Sequence, residues 1–176
     1  MITKKLLPSL FFGTLFWCSA ATLFGQNASS YGTWGFDSIK PSTSQTAPNS
    51  DPSDYQKIYS LLITMADRWN AHDLDGYLSV YWQSPDLLLV VEGEQLKGWA
   101  DLVASYHRGY TNLDEMGSFT PDRIQIQMVT ADVAIALDWW TGYVQKRKIL
   151  GTSTMVLRKF GDDWKIVVGH TSFVEP

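Results

Sequence analysis

The sequence predicts an α+β domain over residues 52–176, in which three helices pack on an antiparallel sheet. Two observations predict this class. Before Pro121 most apolar residues recur every three or four positions, which is typical of amphipathic helices, whereas after Pro121 they alternate with other residues, which is typical of strands with one buried face. Helices followed by such strands favour an α+β fold, and about 120 residues suffice for one hydrophobic core.

Three helices are predicted from caps and apolar stripes. Ser53 and Gln56 fit a capping box at the start of the first helix. Asp73 fits the N-cap of a shorter second helix, which Pro85 ends. A third amphipathic helix covers residues 99–110. The three stripes consist of Ile58, Leu61, Leu62, Met65 and Trp69, then Leu74, Tyr77, Leu78 and Tyr81, and finally Trp99, Leu102, Val103, Tyr106 and Tyr110.

Five strands are predicted, and the first is a short apolar run over residues 87–91, between the second and third helices. The other four follow Pro121, where the apolar pattern has a period of two. Turns at residues 146–148 and 161–163 separate the last three of them. These four strands cover residues 124–128, 133–140, 149–160 and 164–173.

Residues 1–20 have the pattern of a signal peptide. Lys4 and Lys5 precede an apolar run over residues 6–17, and the small residues around Ala20 suit a cleavage site. The run is too short to span a bilayer comfortably, and an uncleaved anchor is the alternative. Bulky residues before Cys18 argue against a lipid anchor. We therefore expect export, either to a periplasm or by secretion, with no membrane association after the signal is removed.

Residues 21–51 are predicted to form a flexible linker, because Ser, Thr, Pro, Asn and Gly dominate this segment and no apolar period is sustained. Tyr31, Trp34 and Phe36 are the exceptions within it. These three aromatic residues either collapse locally or dock on the surface of a partner.

The composition excludes several classes of function. The chain carries 14 Lys and Arg against 18 Asp and Glu, and two of the basic residues are lost with the signal, so nucleic acid is not the expected partner. The single cysteine, Cys18, is lost as well, which removes disulfides and thiol chemistry. The three histidines lack the spacing of four that zinc enzymes use on a helix. No metal and no cofactor are therefore predicted.

Two segments and one glycine carry a resemblance to a known family: residues 69–77, which read Trp-Asn-Ala-His-Asp-Leu-Asp-Gly-Tyr, residues 164–172, and Gly98 before the third helix. Over residues 54–174 the chain resembles the nuclear transport factor 2-like superfamily, and within it the SnoaL-like domains. The resemblance implies a cone-shaped, cystatin-like fold with a pocket between the helices and a strongly curved sheet. It also implies a homodimer formed through the outer face of that sheet.

The resemblance argues against two activities of the superfamily. The catalytic tyrosine, base and protonated aspartic acid of the steroid isomerases correspond to Met65, Leu89 and Val156, none of which can transfer or donate a proton. The acid of the dehydratase relatives corresponds to Asn70, which cannot ionise. Steroid isomerase chemistry is therefore not expected here.

Asp138 and His170 are the candidate catalytic residues. The SnoaL-like cyclases use an Asp on the sheet as acid and base, and Asp138 is the one carboxylate within an apolar strand. It either lines the pocket or lies on the exposed or dimer face in a salt bridge. The alternation of the last strand places His170 with Ile166 and Val168 on an inward face, where it is either a pocket base or a core histidine bonded to a backbone carbonyl.

The function expected from these residues is the binding of a small apolar or aromatic molecule in the cone. Trp69, Tyr81, His107 and Trp140 are the candidate ligand contacts, although His107 also suits a surface position beside the stripe of the third helix. If the protein is an enzyme, we expect a cofactor-free isomerase, cyclase or lyase. The alternative is a non-catalytic dimeric assembly module whose cone is filled by its own side chains.

Overall fold

A computed structural model describes residues 51–176, so the predicted signal peptide and nearly all of the predicted linker lie outside the described residues. The helices are α1 (Pro52–Asn70), α2 (Leu74–Leu78) and α3 (Trp99–Gly109), and a 3₁₀ turn covers Leu113–Glu115. The strands are β1 (Leu88–Val91), β2 (Glu94–Lys97), β3 (Ser118–Met128), β4 (Val133–Val144), β5 (Arg147–Phe160) and β6 (Asp163–Val174). No helix within residues 51–176 is both long and apolar enough to cross a bilayer.

The first helix begins earlier than its predicted cap. The Asp51 side chain accepts a hydrogen bond from the Ser53 backbone N–H at 2.8 Å, so Asp51 and not Ser53 is the N-cap. Pro52 then occupies the first helical turn, where its missing N–H costs nothing. The predicted N-cap of α2 is confirmed, because Asp73 Oδ1 accepts a hydrogen bond from the Gly76 N–H at 2.9 Å. However, α2 ends at Leu78, and Tyr81 lies beyond it in a β-bridge to Ile166.

One curved, open sheet holds all six strands, in the order β2-β1-β6-β5-β4-β3. Among the strand pairs within residues 51–176, only β1 and β6 run parallel. The predicted α+β class and the packing of the helices on the sheet are confirmed. Strand β2 was not predicted, because Leu96 is its only buried side chain and so its sequence shows no alternation.

The inner face of the sheet forms the core with one side of α1. Ile58 and Leu62 of α1 are fully buried, and so are Ala134 and Ala136 of β4. The two alanines lack long side chains, which leaves room for the helix at this end of the sheet. The apolar face of α1 therefore packs as its stripe predicts.

A bulge in β6 decides which of its residues face the core. Val156 pairs with Val168, whereas the next residue of β5, Leu157, pairs with Ile166, so one residue of β6 is left over. An extra residue inverts the alternation of all side chains beyond it. Ile166 is buried, but Val168 and His170 are exposed, and Gly169 takes the inner face. The prediction that His170 points inward is therefore wrong.

A buried ion pair joins α1 to the end of the sheet. Asp54 is 1% exposed, and it accepts hydrogen bonds from Lys159 Nζ at 2.8 Å and from Trp164 Nε1 at 3.2 Å. Burial by itself raises the pKa of Asp54, but the bonds from Lys159 and Trp164 outweigh it and hold the pKa below its usual value. This carboxylate is fully paired, so it holds the fold together and needs no ligand.

Candidate functional site

A cavity of about 120 Å³ lies between the helices and the inner face of the sheet. Residues of all three α-helices and of every strand except β2 line this cavity. Met65, Tyr81 and Leu89 are buried, whereas Ser118 is exposed and Phe173 is half-exposed, so the cavity reaches the surface where β3 begins and β6 ends. We refer to this cavity as the cone.

Five aromatic residues form what we call the aromatic wall of this cavity. Trp69, in the last turn of α1, stands at its centre. Its ring centroid lies 4.8 Å from that of Tyr77, 5.2 Å from Tyr110, 6.2 Å from Phe119 and 6.4 Å from Tyr106. Tyr106 and Tyr110 are four residues apart and therefore share one face at the end of α3. The wall is formed by residues from α1, α2, α3 and β3.

The tyrosine hydroxyls at the closed end cannot act as bases. The hydroxyls of Tyr77 and Tyr81 are hydrogen-bonded to each other at 3.2 Å. Burial, together with the nearby Tyr106, raises the pKa of both groups above the usual value for tyrosine. Both therefore stay protonated at neutral pH and serve only as hydrogen-bond donors or acceptors.

Asp138 is the ionisable group of the cavity on the sheet side. It lies in the middle of β4, opposite Ser153 of β5, and is 1% exposed. Its Oδ1 has no hydrogen-bond partner among the described residues. Burial, and then the negative charge of Asp122, raises the pKa of Asp138 to about 7. A carboxyl with this pKa exists in both protonation states at neutral pH, so it can both give and take a proton.

Side chains of three adjacent strands hold the Trp140 ring in place next to Asp138. Trp140 Nε1 donates to Ser153 Oγ at 3.2 Å, and that hydroxyl lies 3.0 Å from Thr171 Oγ1. Residue 151 is glycine because a side chain there would overlap the Trp140 ring. Ser153, Thr171 and Gly151 were not predicted, because their position depends on the pairing of β4 with β5 and of β5 with β6, for which the sequence carries no local signal.

The structure brings together four of the six predicted site residues, since Asp138, Trp69, Tyr81 and Trp140 all line one cavity. His170 does not join them. It lies on the outer face of the sheet beyond the bulge and is exposed.

His107 does not join them either. Its neighbour Tyr106 takes the inward position on α3, so His107 points away from the cavity and its Nε2 lies 2.9 Å from Asp75 Oδ1. The prediction that His107 contacts the ligand is therefore wrong for this cavity, and the surface alternative holds. Asp75 serves as the partner of this histidine.

Asn70 has a structural role. Its Nδ2 donates to the Phe119 carbonyl at 2.8 Å, and the Phe119 N–H donates to its Oδ1 at 2.9 Å. This two-bond clamp fixes the end of α1 and Trp69 beside it against the start of β3. Among residues 51–176 no group of three or more His, Cys, Asp or Glu side chains is placed to hold a metal ion.

Comparison with known proteins identifies relatives of the same shape. A family model described as a SnoaL-like domain matches residues 58–176. No curated protein matches the chain. A crystal structure of a nuclear transport factor 2-like protein of unknown function from Shewanella oneidensis MR-1 is similar, with 29% identity and a TM-score of 0.64, covering 68% of this chain and 98% of that one.

Two more solved structures show the same fold at lower identity. One is a nuclear transport factor 2-like protein of unknown function from Pseudomonas putida KT2440, which is 16% identical with a TM-score of 0.62 over 70% of this chain and 88% of that one. The other is a domain of unknown function with a cystatin-like fold from Nostoc punctiforme PCC 73102, which is 17% identical with a TM-score of 0.60 over 70% and 78%. These likenesses confirm the predicted fold and family resemblance.

Proposed function

This chain belongs to the SnoaL-like domain family of the nuclear transport factor 2-like superfamily, and we propose that it is an exported protein that binds a small molecule in its cone, with Asp138 as the recognition and proton-transfer group. Family membership does not select this function by itself, because the fold carries enzymes, receptors and assembly domains. Export is proposed from the signal-peptide pattern of residues 1–20.

One observation carries the proposal: a buried carboxylate oxygen that borders the cavity has no hydrogen-bond partner among the described residues. Buried polar atoms are almost always hydrogen-bonded, and an exception is costly unless it serves a purpose. Asp138 Oδ1 is such an exception, and it borders a cavity lined mainly by aromatic and aliphatic side chains. A ligand that supplies the missing partner explains both features.

The size of the cavity limits the ligand. A cavity of about 150 Å³ holds a benzene molecule in a well-studied case, and this one measures about 120 Å³. The part of the ligand that enters is therefore about the size of a single ring. A molecule of four fused rings does not fit without rearrangement of the wall, which agrees with the absence of proton-transfer groups at Met65 and Leu89.

The proposed chemistry, if the bound molecule reacts, is a cofactor-free proton transfer. The Asp138 carboxylate takes a proton from a carbon next to a carbonyl group, the electron pair moves to the carbonyl oxygen, and the carboxyl returns the proton to another atom of the ligand. Such a step gives isomerase, cyclase or lyase activity, and a tyrosine hydroxyl of the cavity is suited to hydrogen-bond the developing oxyanion. His170 takes no part, because it lies on the other face of the sheet.

Replacing Asp138 by Asn is expected to weaken the binding of a ring-sized hydrogen-bond donor such as phenol at least roughly ten-fold at pH 8, because a bond to a charged acceptor contributes about 1.5–3 kcal/mol. His170→Ala is the matched control and should leave the affinity unchanged. Titration calorimetry or NMR titration measures both. Equal losses in the two variants, or full binding by Asp138→Asn, would contradict the proposal.

The alternative function, a non-catalytic assembly module, is supported by a different surface. The outer face of the sheet exposes apolar side chains, among them Ile135 at 37% and Val168 at 39%, with Val156 half-exposed between them. Apolar residues clustered in this way are typical of an interface between proteins. We propose that two copies of the chain pair through this face, which is compatible with either function.

Val168→Glu is expected to convert the dimer to a monomer, because it places a charge inside the proposed apolar interface. Tyr59→Glu is the control. Tyr59 is an exposed aromatic residue on α1, so its replacement should leave the dimer intact. Light scattering coupled to size-exclusion chromatography measures the mass. A wild-type monomer, or a dimer that survives Val168→Glu, would contradict this interface.

A further inference from the structure

We propose that the ligand of the cone is a small organic cation, an amine or quaternary ammonium group, held between the aromatic wall and the Asp138 carboxylate. This inference rests on the proposed small-molecule binding and names the class of molecule. Three features of the cavity support it: its charge, its aromatic lining and the use of its hydrogen-bond donors.

The charge of the cavity lacks a counter-ion from the protein. Among the described residues that line the cavity, Asp138 is the only Asp or Glu, and none is Lys, Arg or His. Asp122, at the bulge of β3, adds a second negative charge close enough to affect Asp138. A buried carboxylate is normally paired with a cation. A cationic ligand supplies that partner, whereas an anionic ligand is repelled.

The lining suits a cation as well as an apolar ring. Besides the aromatic wall, Trp140 borders the cavity, with its ring centroid 5.7 Å from that of Phe119 and 6.2 Å from that of Phe173. Aromatic faces attract ammonium groups, and boxes of such rings are the usual recognition site of quaternary ammonium ions. Aromatic rings together with one carboxylate therefore match a methylated or alkylated amine.

Both indole N–H donors of the cavity are already in use within the protein. Trp140 Nε1 donates to Ser153, and Trp69 Nε1 donates to the Met116 carbonyl at 3.1 Å. The bond between the hydroxyls of Tyr77 and Tyr81 uses the O–H of one of them as donor and leaves the other. The acceptor Asp138 Oδ1 remains free. The cavity therefore offers an unused negative acceptor, whereas its two indole donors are occupied.

Binding of a permanent cation should depend on pH through Asp138. The groups near it are Asp122 on β3, the hydroxyls of Ser153 and Thr171 on β5 and β6, and the cavity tyrosines of the helical side, whose raised pKa values keep them neutral. Arg123 of β3 lies over the Trp139 ring instead. Burial and the charge of Asp122 raise the pKa of Asp138 to about 7. Its protonation below that pH removes the charge that attracts the cation, so affinity should rise with pH.

The test compares choline with 3,3-dimethyl-1-butanol, which has the same shape but a carbon atom in place of the charged nitrogen. Calorimetric titrations use the mature chain at pH 5.5 and pH 8.5. We expect choline to bind at least ten-fold more tightly than the alcohol at pH 8.5, and to lose roughly 30-fold in affinity at pH 5.5, since 1.5 units below the pKa only about one site in 30 is ionised. The alcohol should show little change with pH.

Two variants complete the test. Asp138→Asn should remove both the preference for choline and its pH dependence, and His170→Ala should retain both. Equal affinity for the two molecules, or tighter binding of the alcohol, overturns the inference. If phenol binds the cone but choline does not, the cation is wrong and small-molecule binding stands. If neither phenol, choline nor the alcohol binds, the inference and the proposed function both fail.

Discussion

The Asp138→Asn variant is expected to be more stable than the wild-type protein above pH 7, by up to about 4 kcal/mol, although it loses ligand binding. Burial and the charge of Asp122 raise the pKa of Asp138 from an ordinary value of 3.8 to about 7. Each unit of pKa difference between the folded and unfolded states corresponds to about 1.4 kcal/mol. An ionised Asp138 therefore destabilises the folded state, and a neutral amide of the same shape removes that cost.

The pH dependence of this effect has a definite sign. Because the folded state binds the Asp138 proton more tightly than the unfolded state, the contribution of this group to stability falls as pH rises from about 4 to about 7. Below pH 4 the carboxyl is protonated in both states and the substitution gains little. Above pH 7 the full gain is present.

Urea unfolding of both proteins at pH 4.5 and pH 8 measures this difference. Asp86→Asn is the matched control, because Asp86 is exposed and its substitution should change stability by less than about 0.5 kcal/mol at either pH. A variant that is no more stable than the wild type at pH 8 would show that Asp138 is paired in the folded protein. A gain in stability combined with a loss of binding is the usual mark of a functional residue.

The Lys159→Met variant is expected to lose about 3 kcal/mol of stability at pH 7. Lys159 Nζ is the cation closest to Asp54, whose side chain is 2% exposed, and removing it leaves a buried carboxylate with Trp164 Nε1 as its main remaining donor. Breaking a buried pair by removing one partner costs about 3–5 kcal/mol, and the partial exposure of Lys159 places the expected loss at the lower end. Methionine keeps most of the length of the lysine stem, so little packing is lost.

Lys57→Met is the matched control for this prediction. Lys57 Nζ lies 3.8 Å from Asp54 Oδ1, but its side chain is 44% exposed, so its removal should cost less than about 1 kcal/mol. The folded-state pKa of Asp54 is lowered, so its stabilising contribution is present above about pH 4 and is lost as pH falls further. The difference between Lys159→Met and wild type should therefore shrink in acid. Equal losses in the two lysine variants at pH 7 would show that the Asp54–Lys159 pair contributes no more stability than an exposed ion pair.

The two buried aspartates of this domain illustrate opposite uses of a carboxylate. Asp54 has a lysine, an indole N–H and a second, more distant lysine around it, and its pKa is lowered. Asp138 has an unpaired oxygen, a cavity and a second carboxylate near it, and its pKa is raised. The first therefore stabilises the fold, and the second is the candidate for function.

Much of the fold and part of the site were predictable from the sequence. The apolar stripes of the helices, the Asp73 cap and the long strands of the sheet depend on residues a few positions apart, which the sequence displays directly. For the same reason Trp69, at the end of the α1 stripe, was predicted to contact a ligand and does line the cavity. Asp138 was identified because a carboxylate within an apolar strand is unusual.

Local patterns by themselves determined the class of the domain, the order of its three helices and of five of its six strands, and the type of side chain on each helical face. Only the tertiary structure decided which face of a strand points into the cone, because that depends on pairing between strands that are distant along the chain. The bulge opposite Val156 and Leu157 turned His170 outward and Thr171 inward, and the pairing of β4 with β5 placed Ser153 beside Asp138. No periodicity within a single strand contains that information, since a bulge is a relation between two strands and not a property of one.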